Sequence, residues 1–251
     1  VAAAKRIWSK LNRPNIMIKI PATQECLPAI RTVLELGINV NITLIFTTAV
    51  HEQVLDAYLG ALETRAAQGL DLAPIASVAS FFVSRVDAIC EKSFEELVKA
   101  GKADKTDLAK FQGRVGIANS KLSYARYEQV VGSDRFRKLA QKGARVQRPL
   151  WASTGTKNPA FSAVLYIEEL AGKDTVNTVP PATLKALLQG ATVEPRLHRD
   201  TAGAKGIVDT VLALGIPLPQ LLDRLQVEGV KSFADSYQTL LDSIEAKRRA
   251  V

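Results

Sequence analysis

Along the first part of the chain, short hydrophobic runs alternate with longer segments in which hydrophobic residues recur every three or four positions. This alternation indicates strands and helices in turn. Short runs of β-prone residues predict strands, at residues 16–20, 39–46 and 75–83. Apolar residues spaced by three or four positions predict amphipathic helices, at residues 1–11, 24–36 and 48–67. Short connections marked by glycine or proline separate these segments. The alternation predicts parallel βα units.

Local signals define the ends of these predicted helices. Pro14 closes the first helix. Thr23 is the predicted N-cap of the second, because its hydroxyl can accept a hydrogen bond from a free backbone N–H group. Gly37 is the predicted C-terminal stop of that helix, since glycine readily adopts the left-handed conformation that ends many helices.

The middle of the chain is less regular. Residues 86–143 contain several polar, helix-like pieces, and we expect a long helical excursion between two strands there. The sheet is predicted to resume at residues 147–153 and to continue with a fifth strand at residues 174–179. Between them, Asn158-Pro159 predicts the start of a helix that ends at Gly172.

Helices dominate the last part of the chain, and we predict them at residues 182–189, 201–214 and 232–249. The last of these begins with Ser232-x-x-Asp235, which is similar to a capping box. Taken together, these patterns predict a single α/β domain over residues 1–251.

Lys19 is the only ionisable residue in the first predicted strand, which is otherwise apolar. Burial disfavours the charged form of a lysine, and a neutral amine is a nucleophile towards carbonyl groups. The alternative interpretation is an edge strand, or a side chain that extends to solvent. The polar residues of the next predicted strand help to choose between a buried and an exposed lysine.

Side chains of a strand alternate between its two faces, so Lys19 is predicted to share a face with Met17. In the next predicted strand the odd-numbered positions are polar, and they would place Asn39, Asn41 and Thr43 on one face. The even-numbered positions are apolar, and they would place Val40, Ile42 and Leu44 on the other face. Both faces of a parallel sheet are normally apolar. The polar face indicates either a satisfied structural network or, as we favour, a polar pocket inside a barrel at the carboxyl ends of its strands.

Composition narrows the class of protein. The chain has 251 residues, of which 47% are hydrophobic, and this content excludes a disordered chain. No apolar run is long enough for a membrane span, and the N-terminus lacks the features of a signal peptide, so we expect a cytoplasmic protein. Cys26 and Cys90 lack metal-ligand spacing and are interpreted as free thiols, and no metal site or cofactor is expected. The net charge of +8 favours anionic ligands, but the basic residues are scattered, which argues against nucleic acid.

Four segments in order resemble the successive motifs of the transaldolase family. They are Ile16-Met-Ile-Lys-Ile-Pro-Ala-Thr23, Gly37-Ile-Asn-Val-Asn-Ile-Thr43, Ala79-Ser-Phe-Phe-Val-Ser-Arg-Val-Asp87 and Trp151-Ala-Ser-Thr-Gly-Thr-Lys-Asn-Pro159. The resemblance implies a TIM (βα)8 barrel, of which this chain would supply strands four to eight and the C-terminal helices. It also implies transfer of a dihydroxyacetone unit from a ketose phosphate to an aldose phosphate, in the non-oxidative pentose phosphate pathway. The ketose would be fructose 6-phosphate or sedoheptulose 7-phosphate.

The resemblance assigns roles residue by residue. Lys19 would form a Schiff base with the ketose carbonyl, and Asn41 would hydrogen-bond the bound three-carbon unit. Thr43 would hold the water used in proton transfer, and Ser80 would contact substrate hydroxyls. The phosphate would be held by the remaining site residues, Arg85, Ser153 and Lys157. Lys157 stands in a loop where many family members have an arginine shortly after the serine.

For Arg85, the alternative is a surface ion pair with Asp87 or Glu91. The family's catalytic aspartate and glutamate would belong to the first three strands, and no residue of this chain is nominated for them.

A missing N-terminal barrel segment, either covalent or bound, is therefore an expected partner. Because Met17 is the only methionine, Val1 is not expected to be the natural start of translation. The other expected partners are sugar phosphates, and the sequence is compatible with a homo-oligomer. Two other functions remain open: a Schiff-base aldolase that cleaves without transfer, and an inactive, truncated phosphate-binding barrel.

Overall fold

Five parallel strands form one sheet in the computed structural model, which describes residues 1–249. The strands are β1 (Ile18–Pro21), β2 (Val40–Ile45), β3 (Ser77–Phe82), β4 (Arg148–Ala152) and β5 (Val176–Asn177). They lie side by side in the order of the sequence, and each pairs in parallel with the next. The five predicted strands and their parallel arrangement are confirmed, although each observed strand is shorter than predicted.

The connections between the strands are helical. The first helices are α1 (Ala2–Leu11), α2 (Leu27–Glu35), α3 (Thr48–Ala67) and α4 (Ser84–Lys99), followed by α5 (Lys105–Ala109), α6 (Val115–Val131) and α7 (Asp134–Ala140). The later helices are α8 (Leu165–Glu169), α9 (Pro181–Gln189), α10 (Thr201–Ala213) and α11 (Leu218–Arg249). The predicted helical excursion between two strands is thus made of α4 to α7. Helix α3 has the predicted bounds.

Helix α2 ends as predicted but begins differently. Gly37 has φ 84°, its N–H donates to the Leu34 carbonyl, and the Ile38 N–H donates to the Val33 carbonyl. This pair of bonds is a Schellman motif, which explains the stop at Gly37. The predicted N-cap at Thr23 is wrong, because the helix begins only at Leu27.

One face of the sheet packs against α2, α3 and α6. It is built from alternate strand residues, which include Val40, Ile42, Ala79, Phe81 and Trp151. These side chains are fully buried, as the period-two pattern requires for a covered face.

The opposite face carries a second apolar cluster, in which β3 and β4 meet α4, α10 and α11. Its strand residues include Val78, Phe82, Leu150 and Ala152. Leu44 also belongs to this cluster, so its predicted place beside Val40 and Ile42 is wrong. The pairing of β2 with β3 shifts between Ile42 and Ile45, and Leu44 has φ 61°, which turns the strand at this point.

Two predicted helix starts are not observed. Residues Asn158 and Pro159 form a turn, in which the Asn158 carbonyl accepts from the Phe161 N–H. The helix that lies between this turn and Gly172 is the five-residue α8. Ser232 lies inside the 32-residue helix α11 and accepts a hydrogen bond from Ser236 through its carbonyl, so it does not start a helix.

Within residues 1–249, no single helix has the length and apolar content that a membrane span needs. Only α10 and α11, taken together across a 94° bend, meet those two criteria.

Candidate active site

Lys19 lies on β1, at one edge of the described sheet. Its side chain is exposed, so the expectation of a buried amine is wrong for this structure. The edge position explains the exposure, because β1 has a paired strand on one side only. The Nζ atom lies 5.4 Å from the ring centroid of Phe233, which belongs to α11.

Asn41 and Ser80 stand beside Lys19 on the same face of the sheet. Lys19 is the register partner of Asn41, and Ser80 follows Val78, the next partner of Asn41, by two residues. The Ser80 hydroxyl donates to Asn41 Oδ1 at 2.7 Å. This bond directs the amide oxygen towards Ser80, and no hydrogen bond donated by the Asn41 amide nitrogen is found among the described residues. The structure therefore brings an amine, an amide donor and a hydroxyl together on three adjacent strands.

Thr43 lies two residues further along β2, opposite Pro21. Its hydroxyl is buried, and no hydrogen-bond partner for it is found among the described residues. A buried polar atom without a protein partner is uncommon and is usually satisfied by water or a ligand.

Asn39 does not contribute to this group. Its amide nitrogen donates to the Pro14 carbonyl at 3.2 Å, and its amide oxygen accepts from the Ala76 N–H at 2.9 Å. Both ends of the side chain are therefore occupied by backbone, so the structural-network alternative holds for Asn39.

The end of β4 and the start of α4 meet at a pair of serines. The Ser84 and Ser153 hydroxyls are 2.8 Å apart, and the Ser84 N–H donates to the Ser153 carbonyl at 3.1 Å. Arg85 follows in the first turn of α4, half-buried, with its guanidinium 5.2 Å from the ring centroid of Phe82. Arg85 and Ser153 are thus brought to one place, whereas Lys157 is an exposed residue further along the loop.

Asp87, which the sequence analysis considered as a surface ion-pair partner of Arg85, is a buried acid. It is 3% exposed, and its two carboxylate oxygens accept from the Gly116 N–H at 2.9 Å and the Tyr166 hydroxyl at 2.7 Å. Burial raises the pKa of Asp87 to about 6, against the smaller opposing effect of these hydrogen bonds. Asp87 therefore joins α4, α6 and α8, and among the described residues it forms no ion pair with Arg85.

Helix α11 crosses the carboxyl ends of β1 and β2. The sequence analysis did not predict this placement. Gln226 donates through Nε2 to the Ala22 carbonyl at 3.1 Å and to the Leu44 carbonyl at 3.0 Å. Gly229, one turn later, packs against Leu44 so closely that an added Cβ would lie 2.7 Å from a Leu44 methyl group. These two contacts anchor the helix that brings Phe233 to Lys19.

Comparison with known proteins gives one consistent result. A family model described as "Transaldolase/Fructose-6-phosphate aldolase" matches residues 1–244. A protein named transaldolase from Mycolicibacterium smegmatis is 46% identical over 248 residues, which are 98% of this chain and 65% of that protein. One named transaldolase 2 from Nostoc punctiforme is 43% identical over 252 residues, 98% of this chain and 66% of that protein. A transaldolase from Saccharopolyspora erythraea is 46% identical over 245 residues, 97% of this chain and 65% of that protein. The chain thus spans slightly less than two thirds of the length of these relatives.

Proposed function

Because the chain belongs to the transaldolase/fructose-6-phosphate aldolase family, we propose that it carries the Schiff-base site of a transaldolase. In this proposal, a dihydroxyacetone unit passes from fructose 6-phosphate or sedoheptulose 7-phosphate to an aldose phosphate, as a step of the non-oxidative pentose phosphate pathway. The observation that carries it is the row of Lys19, Asn41 and Ser80 on adjacent strands, linked by register and by the bond between Ser80 and Asn41.

The chemistry begins at Nζ of Lys19. Its lone pair attacks the C2 carbonyl carbon, the carbonyl electrons move to oxygen, and the carbinolamine then loses water to give a protonated imine. The C4 hydroxyl then loses its proton to water as the C3–C4 bond breaks, which releases an aldose phosphate. The electrons of the broken bond enter the imine to give an enamine. The enamine carbon attacks the carbonyl of the acceptor aldose, and water then frees the new ketose from Lys19.

Asn41 and Thr43 would serve these steps in different ways. The free amide N–H groups of Asn41 would donate to a hydroxyl of the bound three-carbon unit. The unpartnered Thr43 hydroxyl would hold a water molecule that carries protons during carbinolamine dehydration. Ser80 would keep the Asn41 amide in its orientation and contact substrate hydroxyls.

Arg85, Ser153 and Lys157 would hold the phosphate group. Arg85 lies in the first turn of α4, where backbone N–H groups and the helix dipole favour an anion. Its guanidinium adds a charged, two-pronged donor, and the contact between Ser84 and Ser153 fixes the loop of β4 beside it. Lys157 would add a second positive charge from the exposed part of that loop.

We further propose that β1 to β5 correspond to five consecutive units, the fourth to the eighth, of the family's βα-barrel. The strands lie in sequence order with parallel neighbours, which is the arrangement of consecutive barrel strands. Lys19, Asn41 and Ser80 share one face of the sheet, as residues directed into a barrel would.

Borohydride trapping tests the proposed reaction. In the native protein incubated with fructose 6-phosphate, reduction should fix a three-carbon adduct on the peptide that contains Lys19, seen as a mass shift. Lys19→Arg should abolish the adduct and the transfer activity, because a guanidinium remains protonated and cannot attack a carbonyl. Lys121→Arg is the matched control and should leave both unchanged. An adduct on Lys121, or transfer activity in Lys19→Arg, would refute the assignment.

Product analysis separates transfer from cleavage alone, which is the other reaction that the family description names. A transaldolase releases glyceraldehyde 3-phosphate from fructose 6-phosphate at a useful rate only when an acceptor such as erythrose 4-phosphate is present. Equal rates with and without the acceptor, together with free dihydroxyacetone, would identify an aldolase instead.

A further inference from the structure

The hydrogen bonds at the carboxyl ends of β1 and β2 include one side chain from a distant part of the chain, that of Gln226. The ladder between the two strands continues as far as Ala22, whose N–H donates to the Thr43 carbonyl at 2.7 Å. In a regular parallel ladder the Ala22 carbonyl would next accept from the Ile45 N–H. That bond is not found among the described residues, and Gln226 Nε2 donates to the Ala22 carbonyl instead, at 3.1 Å. Gln226 therefore completes the ladder where the bonds between the strands end.

The irregularity of β2 explains why a side chain takes this place. Leu44 has φ 61°, which is unfavourable for a residue other than glycine, and the pairing with β3 shifts between Ile42 and Ile45. The same nitrogen of Gln226 donates to the Leu44 carbonyl at 3.0 Å. A backbone conformation of this kind persists only where the surrounding structure holds it. Gln226 is one of the contacts that hold the turned backbone at Leu44.

Thr43 lies inside the ring that these hydrogen bonds form. Its own carbonyl accepts from Ala22, it is followed directly by Leu44, and the carbonyls of both neighbours accept from Gln226. The Thr43 hydroxyl is buried, and no hydrogen-bond partner for it is found among the described residues. No hydrogen bond found there fixes the hydroxyl, so its position relative to Lys19 follows from the backbone that carries it.

We propose that Gln226 is a positioning residue for the Schiff-base reaction and that it acts through Thr43. This inference rests on the proposed function and adds to the same site a residue that the proposed reaction steps do not use. Gln226 holds both strand ends and so keeps the Thr43 hydroxyl where its water reaches the carbinolamine on Lys19. Proton transfer requires hydrogen-bond reach, and a displacement of about 1 Å can cost ~10²-fold in rate.

The step that depends on this geometry is the dehydration of the carbinolamine. The C2 hydroxyl takes a proton from the water held by Thr43 and leaves as a second water molecule, while the lone pair of the lysine nitrogen forms the C=N bond. The hydroxide left at Thr43 takes up a proton from solvent. A Thr43 hydroxyl that is out of place should slow this step and leave the binding of the phosphate group unchanged.

A cycle of variants measures whether Gln226 acts through Thr43. Gln226→Met keeps the length of the side chain and removes the donor, and Thr43→Val keeps the shape and removes the hydroxyl. The native protein, both variants and the double variant are mixed with saturating fructose 6-phosphate and quenched with borohydride at successive times. Thr43→Val should slow formation of the adduct on Lys19 on the order of 10²-fold. Gln226→Met should slow it on the order of tenfold, as a partial loss of the same contribution.

The double variant gives the decisive result. It should be as slow as Thr43→Val alone, because the position of a hydroxyl has no effect once the hydroxyl is removed. A merely structural effect of Gln226 would instead multiply with that of Thr43→Val, to a loss on the order of 10³-fold. Urea unfolding of each variant is measured alongside, so that the rates refer to folded protein. The KM for fructose 6-phosphate in Gln226→Met should stay at the native value.

Gln220 provides the matched control. It is an exposed glutamine on the same helix, and Gln220→Met should leave both the rate of adduct formation and the KM unchanged. Gln226→Asn keeps an amide group on a side chain shorter by one methylene group, and it takes the place of Gln226→Met in the cycle if that variant does not fold.

Four outcomes would overturn the inference. A native rate of adduct formation in Gln226→Met, or losses that multiply in the double variant, would refute the positioning role and leave the proposed function intact. An equal slowing in Gln220→Met would show that the effect belongs to the helix as a whole. Absence of any trapped adduct on Lys19 in the native protein would refute the proposed function and this inference with it.

Discussion

Replacing Gly116 by alanine should destabilise the protein, although the same change in a helix usually stabilises it. Gly116 lies in the first turn of α6, and its N–H donates to Asp87. A Cβ at this position would lie 2.6 Å from the Val83 carbonyl oxygen and 2.8 Å from an oxygen of Asp87. The first is a backbone atom and the second belongs to a buried side chain, so neither can move aside without a shift of α6 relative to α4.

The magnitude follows from three contributions to the free energy of unfolding. Forcing an extra carbon into a packed site costs about 1–3 kcal/mol. Weakening the hydrogen bond to the Asp87 carboxylate costs about 1.5–3 kcal/mol. Helix propensity returns at most ~1 kcal/mol, so we expect a net loss of about 1.5–6 kcal/mol. For a chain of this size, each kcal/mol corresponds to a shift of roughly 2–4 °C in Tm.

Gly206 is the matched control for this experiment. It lies within α10, it is exposed, and an added Cβ would meet no atom within 4 Å. Neither glycine has a positive φ, so alanine strains the backbone at neither position. Gly206→Ala should therefore raise the free energy of unfolding by up to ~1 kcal/mol. Urea unfolding and thermal melts of both variants give the comparison, and a Gly116→Ala variant as stable as the native protein would refute the reasoning.

Two further predictions concern Asp87 and Arg85 of α4. Burial holds the pKa of Asp87 at about 6, above its ordinary value of 3.8, so this carboxyl contributes stability at low pH that is lost as the pH rises through about 6. Asp87→Asn should therefore gain about 3 kcal/mol relative to the native protein between pH 3.5 and pH 7, measured by urea unfolding, and a constant difference would contradict this. Arg85→Ala should raise the KM for phosphorylated sugars more than for dihydroxyacetone as donor, whereas the exposed Arg224→Ala should alter neither. Equal losses for both donors would make Arg85 a structural residue.

The predictions that succeeded depend on neighbouring residues in the chain. The stop at Gly37 requires only a residue that adopts a positive φ after an apolar stripe, and the observed Schellman motif is built within that turn. Helix α3 begins after Thr47, whose hydroxyl accepts from the Val50 N–H, so its start is likewise local. Such signals depend on a few neighbouring residues and not on contacts with distant parts of the chain.

The predictions that failed depend on contacts between distant segments. Asn158-Pro159 is a good local helix start, but Thr154 bonds through its hydroxyl to Asn177 and to the Thr178 carbonyl, which ties the preceding loop to β5. Ser232 resembles a cap, yet α11 already began at Leu218. From the sequence, Asp87 was a possible surface ion-pair partner of Arg85. In the fold its carboxylate instead accepts hydrogen bonds from the Gly116 N–H and the Tyr166 hydroxyl.

Contacts between distant segments also limit what could be predicted for the candidate site. The alternation of side chains between the two faces correctly places Lys19, Asn41 and Ser80 on one face, but it is wrong for Leu44. The shift in pairing after Ile42 turns Leu44 to the second face of the sheet, where it meets Gly229 of α11. Its carbonyl is left to accept from Gln226, and the neighbouring Thr43 hydroxyl is left without a partner among the described residues. β-Bulges are often found where they redirect side chains near active sites. The irregularity in β2 therefore places Leu44 where it anchors α11, and it lies next to the Thr43 hydroxyl.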